Sequence, residues 1–173
     1  MAATEKVTKG PHAGLLDWLA CHKVDYEVHE HSLTFTARET ARVEGVDPRR
    51  FAKTLGVMTG DGRRALLVLD AIDHLDLARA ERALHADSLR LLSEAELATL
   101  FADCDLGAMP AVGELWDLAV YADFAIREDP EITFHAGSHR FTVTVDRVGW
   151  ERAAHVAYAD LSVKADRPVW ANA

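Results

Sequence analysis

The segment FAKTLGVMTGDGRRALLVL, residues 51–69, decides the fold of this 173-residue chain. Two runs of β-prone residues, 51–59 and 64–69, flank the tripeptide Gly60-Asp61-Gly62. Glycine readily adopts the positive φ angles that tight turns need, so the pattern predicts a β-hairpin. The first strand then carries Lys53 among apolar neighbours, where an ammonium is costly to bury unless it reaches a cleft or an anion.

On the N-terminal side of the hairpin, the pattern predicts two helices and a strand. An apolar cluster after Pro11 predicts a short helix that ends near Lys23, and residues 25–29 alternate like a half-buried strand. Thr36 and Glu39 have the spacing of a capping box, so a second helix begins there, and Gly45 can end it.

On the C-terminal side, helices and short strands alternate. Helices are predicted over residues 73–84, from Ser93 to about Phe101, and after Asp146. Strands are predicted over residues 88–92, 118–122, 132–135 and 140–145, with Gly137-Ser138 as a tight connection between the last two. We expect a mixed α+β domain whose strands are mostly joined as antiparallel hairpins.

Composition narrows the class of protein. The chain is 49% hydrophobic and 27% charged, as expected for one soluble globular domain. It has no apolar run long enough to cross a membrane and no apolar N-terminal segment, so we expect a cytoplasmic protein. The formal net charge of −9 excludes a general polyanion binder, although residues 38–64 hold seven basic residues against four acidic ones.

Three features offer chemistry beside Lys53. Residues 103–113 form an irregular loop with two glycines and a proline, whose backbone amides can hold an anion or a developing oxyanion. His29 and His31 share one face of a strand and, with Glu27, suggest a metal hydrolase as one alternative. Cys104 lies in the loop and is a possible nucleophile, but we interpret the two cysteines as free thiols.

Four segments in order resemble a known family. They are Phe51-Ala52-Lys53-Thr54-Leu55, then residues 100–113 around Leu106-Gly107-Ala108-Met109-Pro110-Ala111-Val112-Gly113, then Val120-Tyr121-Ala122-Asp123, then Ile132-Thr133-Phe134-His135-Ala136-Gly137-Ser138-His139. Over residues 25–161 the chain resembles the YbaK/EbsC family of prolyl-tRNA-synthetase-associated editing domains. The resemblance implies a single α+β domain, at residues 11–162, with a mixed, barrel-like sheet surrounded by helices. Residues 1–10 are then a flexible N-terminus and residues 163–173 a C-terminal tail.

The resemblance also implies an activity. Members hydrolyse the ester of mischarged tRNA in trans, so we expect an aminoacyl-tRNA hydrolase that uses no metal and no cofactor. Its partner would be the 3′ end of an aminoacyl-tRNA, with an aminoacyl-tRNA synthetase as a further partner and no membrane. A non-catalytic module of the same fold that binds an amino acid, a nucleotide or a tRNA 3′ end is the alternative.

The family's site residues fall on particular positions of this chain. The catalytic set comprises the strand lysine and the loop, namely Lys53, Gly107, Ala108, Met109 and Pro110. The substrate-binding set comprises Thr54, His31, Val112, Gly113, Asp123, His135 and Gly137. Many members read Gly-Gly-x-Ser-Pro where this chain reads Leu106-Gly107-Ala108-Met109-Pro110, so one glycine and one hydroxyl are missing here.

Overall fold

The computed structural model describes residues 9–165. Its five helices are α1 (Ala13–Cys21), α2 (Ala37–Glu44), α3 (Leu77–Ala83), α4 (Glu94–Leu100) and α5 (Arg147–Ala153). Its ten strands are β1 (Tyr26–Glu30), β2 (Ala52–Thr59), β3 (Arg64–Asp70), β4 (His74–Leu75), β5 (Leu89–Leu91), β6 (Ala119–Asp123), β7 (Glu131–Ser138), β8 (Phe141–Asp146), β9 (Ala157–Ala159) and β10 (Ser162–Val163). The predicted terminal segments 1–10 and 163–173 lie outside the described residues except for residues 9–10 and 163–165.

The predicted hairpin is present and lies at the centre of the structure. Strands β2 and β3 pair antiparallel, with Lys53 opposite Leu69, and Gly62 in the turn has a φ of 88°. The hairpin belongs to a five-stranded sheet of order β5-β2-β3-β6-β9. Because successive side chains of a strand point to opposite faces, Leu66 and Val68 join the larger core while Leu67 and Leu69 join a second core on the other face.

The predicted antiparallel joining of strands is correct only for part of this sheet. Strands β3 and β6 pair parallel, and so do β6 and β9. Parallel neighbours need a long crossover, and the chain between β3 and β6 supplies it through α3, β5 and α4. The α+β class with a mixed sheet is confirmed.

The sheets do not close into a barrel. A second, antiparallel sheet has the order β1-β8-β7, and a bridge between Phe51 and Thr133 connects it to the start of β2. The five-stranded sheet ends at β5 and β9, and the three-stranded sheet ends at β1 and β7. The larger core fills the space between α1, α5 and these sheets and contains Trp150 and Phe134, both fully buried.

Two local predictions were wrong. The helix predicted from Asp73 begins only at Leu77, because Asp76 caps it and His74–Leu75 instead pair with Ser162–Val163. Gly137 and Ser138 belong to β7 rather than to a turn, since an irregularity in the pairing with β8 absorbs the positive φ of Gly137.

Three helices are capped as the sequence indicates. The side chain of Thr36 accepts a hydrogen bond from the amide of Glu39, and Gly45 ends α2 in the left-handed conformation. Ser93 and Glu96 form a complete capping box at α4, and Asp146 caps α5. Within residues 9–165, the helices are too short or too polar to cross a bilayer.

Candidate active site

A cavity of about 270 Å³ lies between the start of α2, strands β2 and β7, and the 103–113 loop. We call it the Lys53 cavity, and its lining comprises Phe35, Thr36, Ala37, Arg38, Ala52, Lys53, Thr54, Leu55, Ala71, Gly107, Met109 and His135. Five of these residues, from three separate parts of the chain, were expected from the sequence to form the site. They are Lys53, Thr54, Gly107, Met109 and His135.

Lys53 is half-buried, and the turn after β3 holds its ammonium group. Its Nζ donates a hydrogen bond to the carbonyl oxygen of Asp73 and another, of 3.4 Å, to that of Ala71. Burial lowers the pKa of Lys53, and the nearby charges of Asp73 and Asp70 partly offset that effect. An ammonium has three N–H bonds, so Lys53 can still donate one to a ligand in the cavity.

The 103–113 loop is fixed by hydrogen bonds to β7, α5 and the turn after β7. Gly137 donates its amide to the carbonyl of Ala108 (3.0 Å) and accepts from the amide of Asp105 (2.9 Å). The ring of His139 bonds the carbonyl of Leu106 at 2.7 Å, and the indole of Trp150 donates to that of Ala111 at 2.7 Å. The loop backbone is therefore held in place before any ligand arrives.

Two residues of this loop line the cavity, namely Gly107 and Met109. Among the hydrogen bonds between described residues, none is donated by the backbone N–H of Gly107 or of Met109. Gly107 has a φ of 81°, which favours glycine, and a Cβ at this position would meet no atom within 4 Å. Free amides beside a cavity can bind an oxyanion or a carbonyl oxygen.

Two buried polar side chains of the cavity wall also have no partner within residues 9–165. They are the hydroxyl of Thr54 and the ring of His135, in which both nitrogens are unpaired. Burial, together with the neighbouring His139 and His31, lowers the pKa of His135 to about 3, so the ring is neutral at physiological pH. A neutral imidazole offers one donor and one acceptor, and buried polar groups without partners are uncommon in proteins. Their presence here favours a ligand site.

The other expected loop residues are not in contact with the cavity. Ala108, Pro110, Val112 and Gly113 are buried in the core and are not in the described lining of the Lys53 cavity. A Cβ on Gly113 would lie 2.1 Å from the carbonyl oxygen of Leu118, so no larger residue fits there. These four residues therefore support the conformation of the loop through their packing.

Three further expected residues also lie outside the described lining of the cavity. Asp123 is buried and accepts hydrogen bonds from Leu161, Ser162 and Lys164, so it fastens the C-terminal segment to β6. The side chain of His31 is buried, with its Nε2 atom 3.7 Å from Glu44. Gly137 contributes through the loop contacts described above.

The structure favours neither of the two other chemical candidates. Within residues 9–165, Glu27, His29 and His31 do not form a group whose ligand atoms all lie within 4.8 Å of one another, and the carboxylate of Glu27 is 3.8 Å from His29 alone. Burial raises the pKa of the Cys104 thiol to about 12, with Asp103 and Asp105 adding to the effect. A thiol of that pKa stays protonated and is a poor nucleophile at neutral pH.

Sequence reasoning missed part of the cavity wall. Phe35 and Arg38 stand at its α2 side, and the carbonyls of Ala71 and Asp73 hold the Lys53 ammonium. The capping box at Thr36 already placed a helix start there, and Arg38 belongs to the basic stretch. No sequence signal pointed to the carbonyl oxygens after β3, because any residue supplies them.

Comparisons with known proteins agree with this geometry. The family described as "Aminoacyl-tRNA editing domain" matches residues 31–153, which include every residue of the Lys53 cavity. No curated protein sequence matches the chain.

Solved structures show the same fold. A hypothetical protein has a TM-score of 0.79 and 18% identity, over 86% of this chain and 99% of its own. A candidate trans-editing enzyme for prolyl tRNA synthetase has a TM-score of 0.77 and 23% identity, over 91% of this chain and 100% of its own. A candidate signal transduction protein from Marinobacter aquaeolei VT8 has a TM-score of 0.66 and 16% identity, over 87% of this chain but 30% of its own.

The family match spans well over half of the chain, and it includes the lysine strand, the loop and the histidine strand that surround one cavity. The resemblance noted from four short segments is confirmed at this level. The chain belongs to the aminoacyl-tRNA editing domain family.

Proposed function

We propose that this protein is a trans-acting aminoacyl-tRNA deacylase of the YbaK/EbsC type, which hydrolyses the ester of a mischarged tRNA in the cytoplasm without a metal or cofactor. One observation carries the proposal. The Lys53 cavity brings a cationic lysine, two free loop amides and two unpaired buried polar side chains together in a member of the editing family.

The reaction needs little from side chains because an aminoacyl ester is already activated. Water, oriented by the loop or by the neighbouring ribose hydroxyl, attacks the ester carbonyl carbon, and the amides of Gly107 and Met109 stabilise the resulting oxyanion. The bond from that carbon to the ribose oxygen then breaks, and the ribose oxygen takes up the proton that the attacking water gives up. The products are the free amino acid and uncharged tRNA.

Lys53 and the wall residues position the substrate. The Lys53 ammonium binds a phosphate or ribose oxygen of the terminal nucleotide, since a compact cation suits such a group. Neutral His135 accepts a hydrogen bond from the amino group of the substrate, and the hydroxyl of Thr54 provides a further polar contact. These roles satisfy the buried groups that the protein leaves unpaired.

The size of the cavity favours a small amino acid. Met109 and Leu55 stand in its wall, and about 270 Å³ holds a short side chain beside part of the nucleotide. Alanine, serine, cysteine, threonine and proline are therefore the amino acids to test.

The charge distribution limits how tRNA is bound. With a net charge of −9, the protein does not attract tRNA over its whole surface. Lys53 and Arg38 lie together at the cavity, so we propose that they receive the 3′ end while the tRNA body or an aminoacyl-tRNA synthetase supplies the remaining affinity.

The test is deacylation of tRNAs charged correctly and incorrectly with these five amino acids. We expect the wild type to release one small amino acid selectively, and Lys53→Ala to lose at least about tenfold in rate because a charge-assisted hydrogen bond is removed. Gly107→Ala keeps the amide but strains the positive φ that orients it, so it tests the conformation of the loop. Gly62→Ala is its matched control, because Gly62 also has a positive φ and open space around it but lies outside the cavity.

If the wild type hydrolyses none of these tRNAs above the buffer rate, the deacylase proposal is wrong. The protein is then a non-catalytic binding module, and a non-hydrolysable analogue of a charged 3′ end should still bind it in a Lys53-dependent way.

A further inference from the structure

A cluster of three potential metal ligands lies outside the Lys53 cavity. His12 immediately precedes α1, and Asp103 and Cys104 begin the 103–113 loop. The Nε2 atom of His12 is 2.5 Å from the carboxylate of Asp103, and the ligand atoms of all three side chains lie within 4.8 Å of one another. Contacts between α1 and the loop have thus placed an imidazole, a carboxylate and a thiol together from residues about 90 positions apart.

We propose that His12, Asp103 and Cys104 bind a zinc ion, or a divalent transition metal with a similar preference for ligands. Imidazole nitrogen, carboxylate oxygen and thiolate sulfur are the ligands that zinc accepts, whereas magnesium and calcium prefer oxygen alone. The Asp103 carboxylate is more than half exposed, so an ion can enter from solvent and water can take the fourth position.

This site differs from the one proposed for catalysis. None of its three ligands is among the described residues that line the Lys53 cavity. The ion therefore takes no part in the deacylation step, and its effect is on how the loop is held.

The position of the cluster gives the ion a structural consequence. The backbone amide of His12 donates to the carbonyl of Ala136 at 2.8 Å, and a Cβ on Gly137 would lie 2.8 Å from that of His12. Since Gly137 also bonds both Asp105 and Ala108, an ion bound here connects α1, β7 and the loop at one point.

Binding requires two proton movements. Cys104 releases its thiol proton to solvent and binds as the thiolate. In the metal-free state Nδ1 of His12 accepts a hydrogen bond from the amide of Leu15, so Nε2 carries the ring proton and donates it to Asp103. For Nε2 to bind the ion, that proton moves to Nδ1 and the capping bond from Leu15 is lost.

The experiment is titration of the metal-free full chain with zinc chloride by calorimetry, with magnesium chloride as the control ion. We expect one zinc ion per chain and no response to magnesium. Cys104→Ser and His12→Asn should each weaken binding by at least about tenfold. Asparagine is a good helix N-cap, so His12→Asn removes the imidazole but retains a capping side chain.

Cys21 supplies the matched control. It is the other free cysteine and is exposed, so Cys21→Ser should bind zinc like the wild type. In this variant Cys104 is the remaining thiol, and cobalt(II) added in place of zinc should give the thiolate-to-metal absorption band that Cys104→Ser lacks.

Two results would overturn the proposal. One is equal zinc affinity in the wild type and Cys104→Ser. The other is the absence of a thiolate-to-cobalt absorption band from Cys21→Ser, which remains informative even if His12→Asn fails to fold. Neither result depends on deacylase activity, so this inference and the proposed function are tested separately.

Discussion

Asp70→Asn should stabilise this protein at neutral pH. Asp70 is the last residue of β3, its side chain is buried, and its Oδ1 atom has no hydrogen-bond partner within residues 9–165. Burial, with the nearby negative charges of Asp73 and Asp129, raises the pKa of Asp70 from 3.8 to about 7. The folded protein therefore holds this proton more tightly than the unfolded chain does.

The direction of the pH effect follows from that difference. The contribution of Asp70 to stability is fully present below about pH 4, declines as pH rises, and is lost above pH 7. The shift from 3.8 to about 7, at about 1.36 kcal/mol per pKa unit, sets a ceiling of about 4 kcal/mol on the loss. Asparagine resembles the protonated acid in shape, so we expect a gain of about 2–4 kcal/mol at pH 8 and almost none at pH 4.

The assay is urea unfolding of the wild type and Asp70→Asn at several pH values between 4 and 8. The difference in free energy of unfolding should grow steadily with pH. Asp61→Asn serves as the control of opposite sign, because the hydrogen bond from Thr59 lowers the pKa of exposed Asp61. A difference that is the same at every pH, or an Asp70→Asn protein that is less stable at pH 8, would refute the reasoning.

Three further predictions concern the site and the elements that hold it. Gly137→Ala should reduce the free energy of unfolding by about 1–3 kcal/mol, because Gly137 has a positive φ and a Cβ there would lie 2.8 Å from the Cβ of His12. Gly62→Ala should cost about 1 kcal/mol, because Gly62 has a positive φ but its added Cβ would meet no atom within 4 Å. Urea unfolding of the two variants measures the difference. The rate of deacylation, corrected for spontaneous hydrolysis, should decrease as rising pH removes the proton of Lys53. Because burial lowers the pKa of Lys53, this decrease should occur at a lower pH than the 10.5 of an ordinary lysine. Asp70→Asn should move it to a still lower pH, because it removes a negative charge that raises the pKa of Lys53. Ser93→Ala should cost about 0.5–2 kcal/mol by breaking the capping box of α4, and thermal unfolding would detect the loss.

Local signals predicted much of the fold. The Gly60-Asp61-Gly62 turn, the capping residues Thr36 and Ser93, and the alternating strands all depend on interactions between residues close in sequence. Lys53 was also identified from local sequence, because a lysine is unusual among the apolar residues of a predicted strand. Four short segments in a fixed order were enough to indicate the family, which the family match then confirmed.

Pairing between distant strands was not predictable in this way. The parallel neighbours β3, β6 and β9 come from separate parts of the chain, and no local pattern states which strand lies beside which. Whether the sheets close is also decided by packing across the whole domain, which is why the expected barrel is absent and the five-stranded and three-stranded sheets both stay open.

The candidate site shows the same difference between local signals and long-range packing. The sequence by itself predicted the main residues of the candidate site, namely Lys53, the glycine-containing loop and His135. The tertiary structure alone decided that they share one cavity, that Asp123 instead holds the C-terminal segment, and that His12 meets Cys104. The physical reason is that charge, size and backbone freedom belong to individual residues, whereas burial, unpaired hydrogen-bonding groups and shifted pKa values arise only when distant segments pack together.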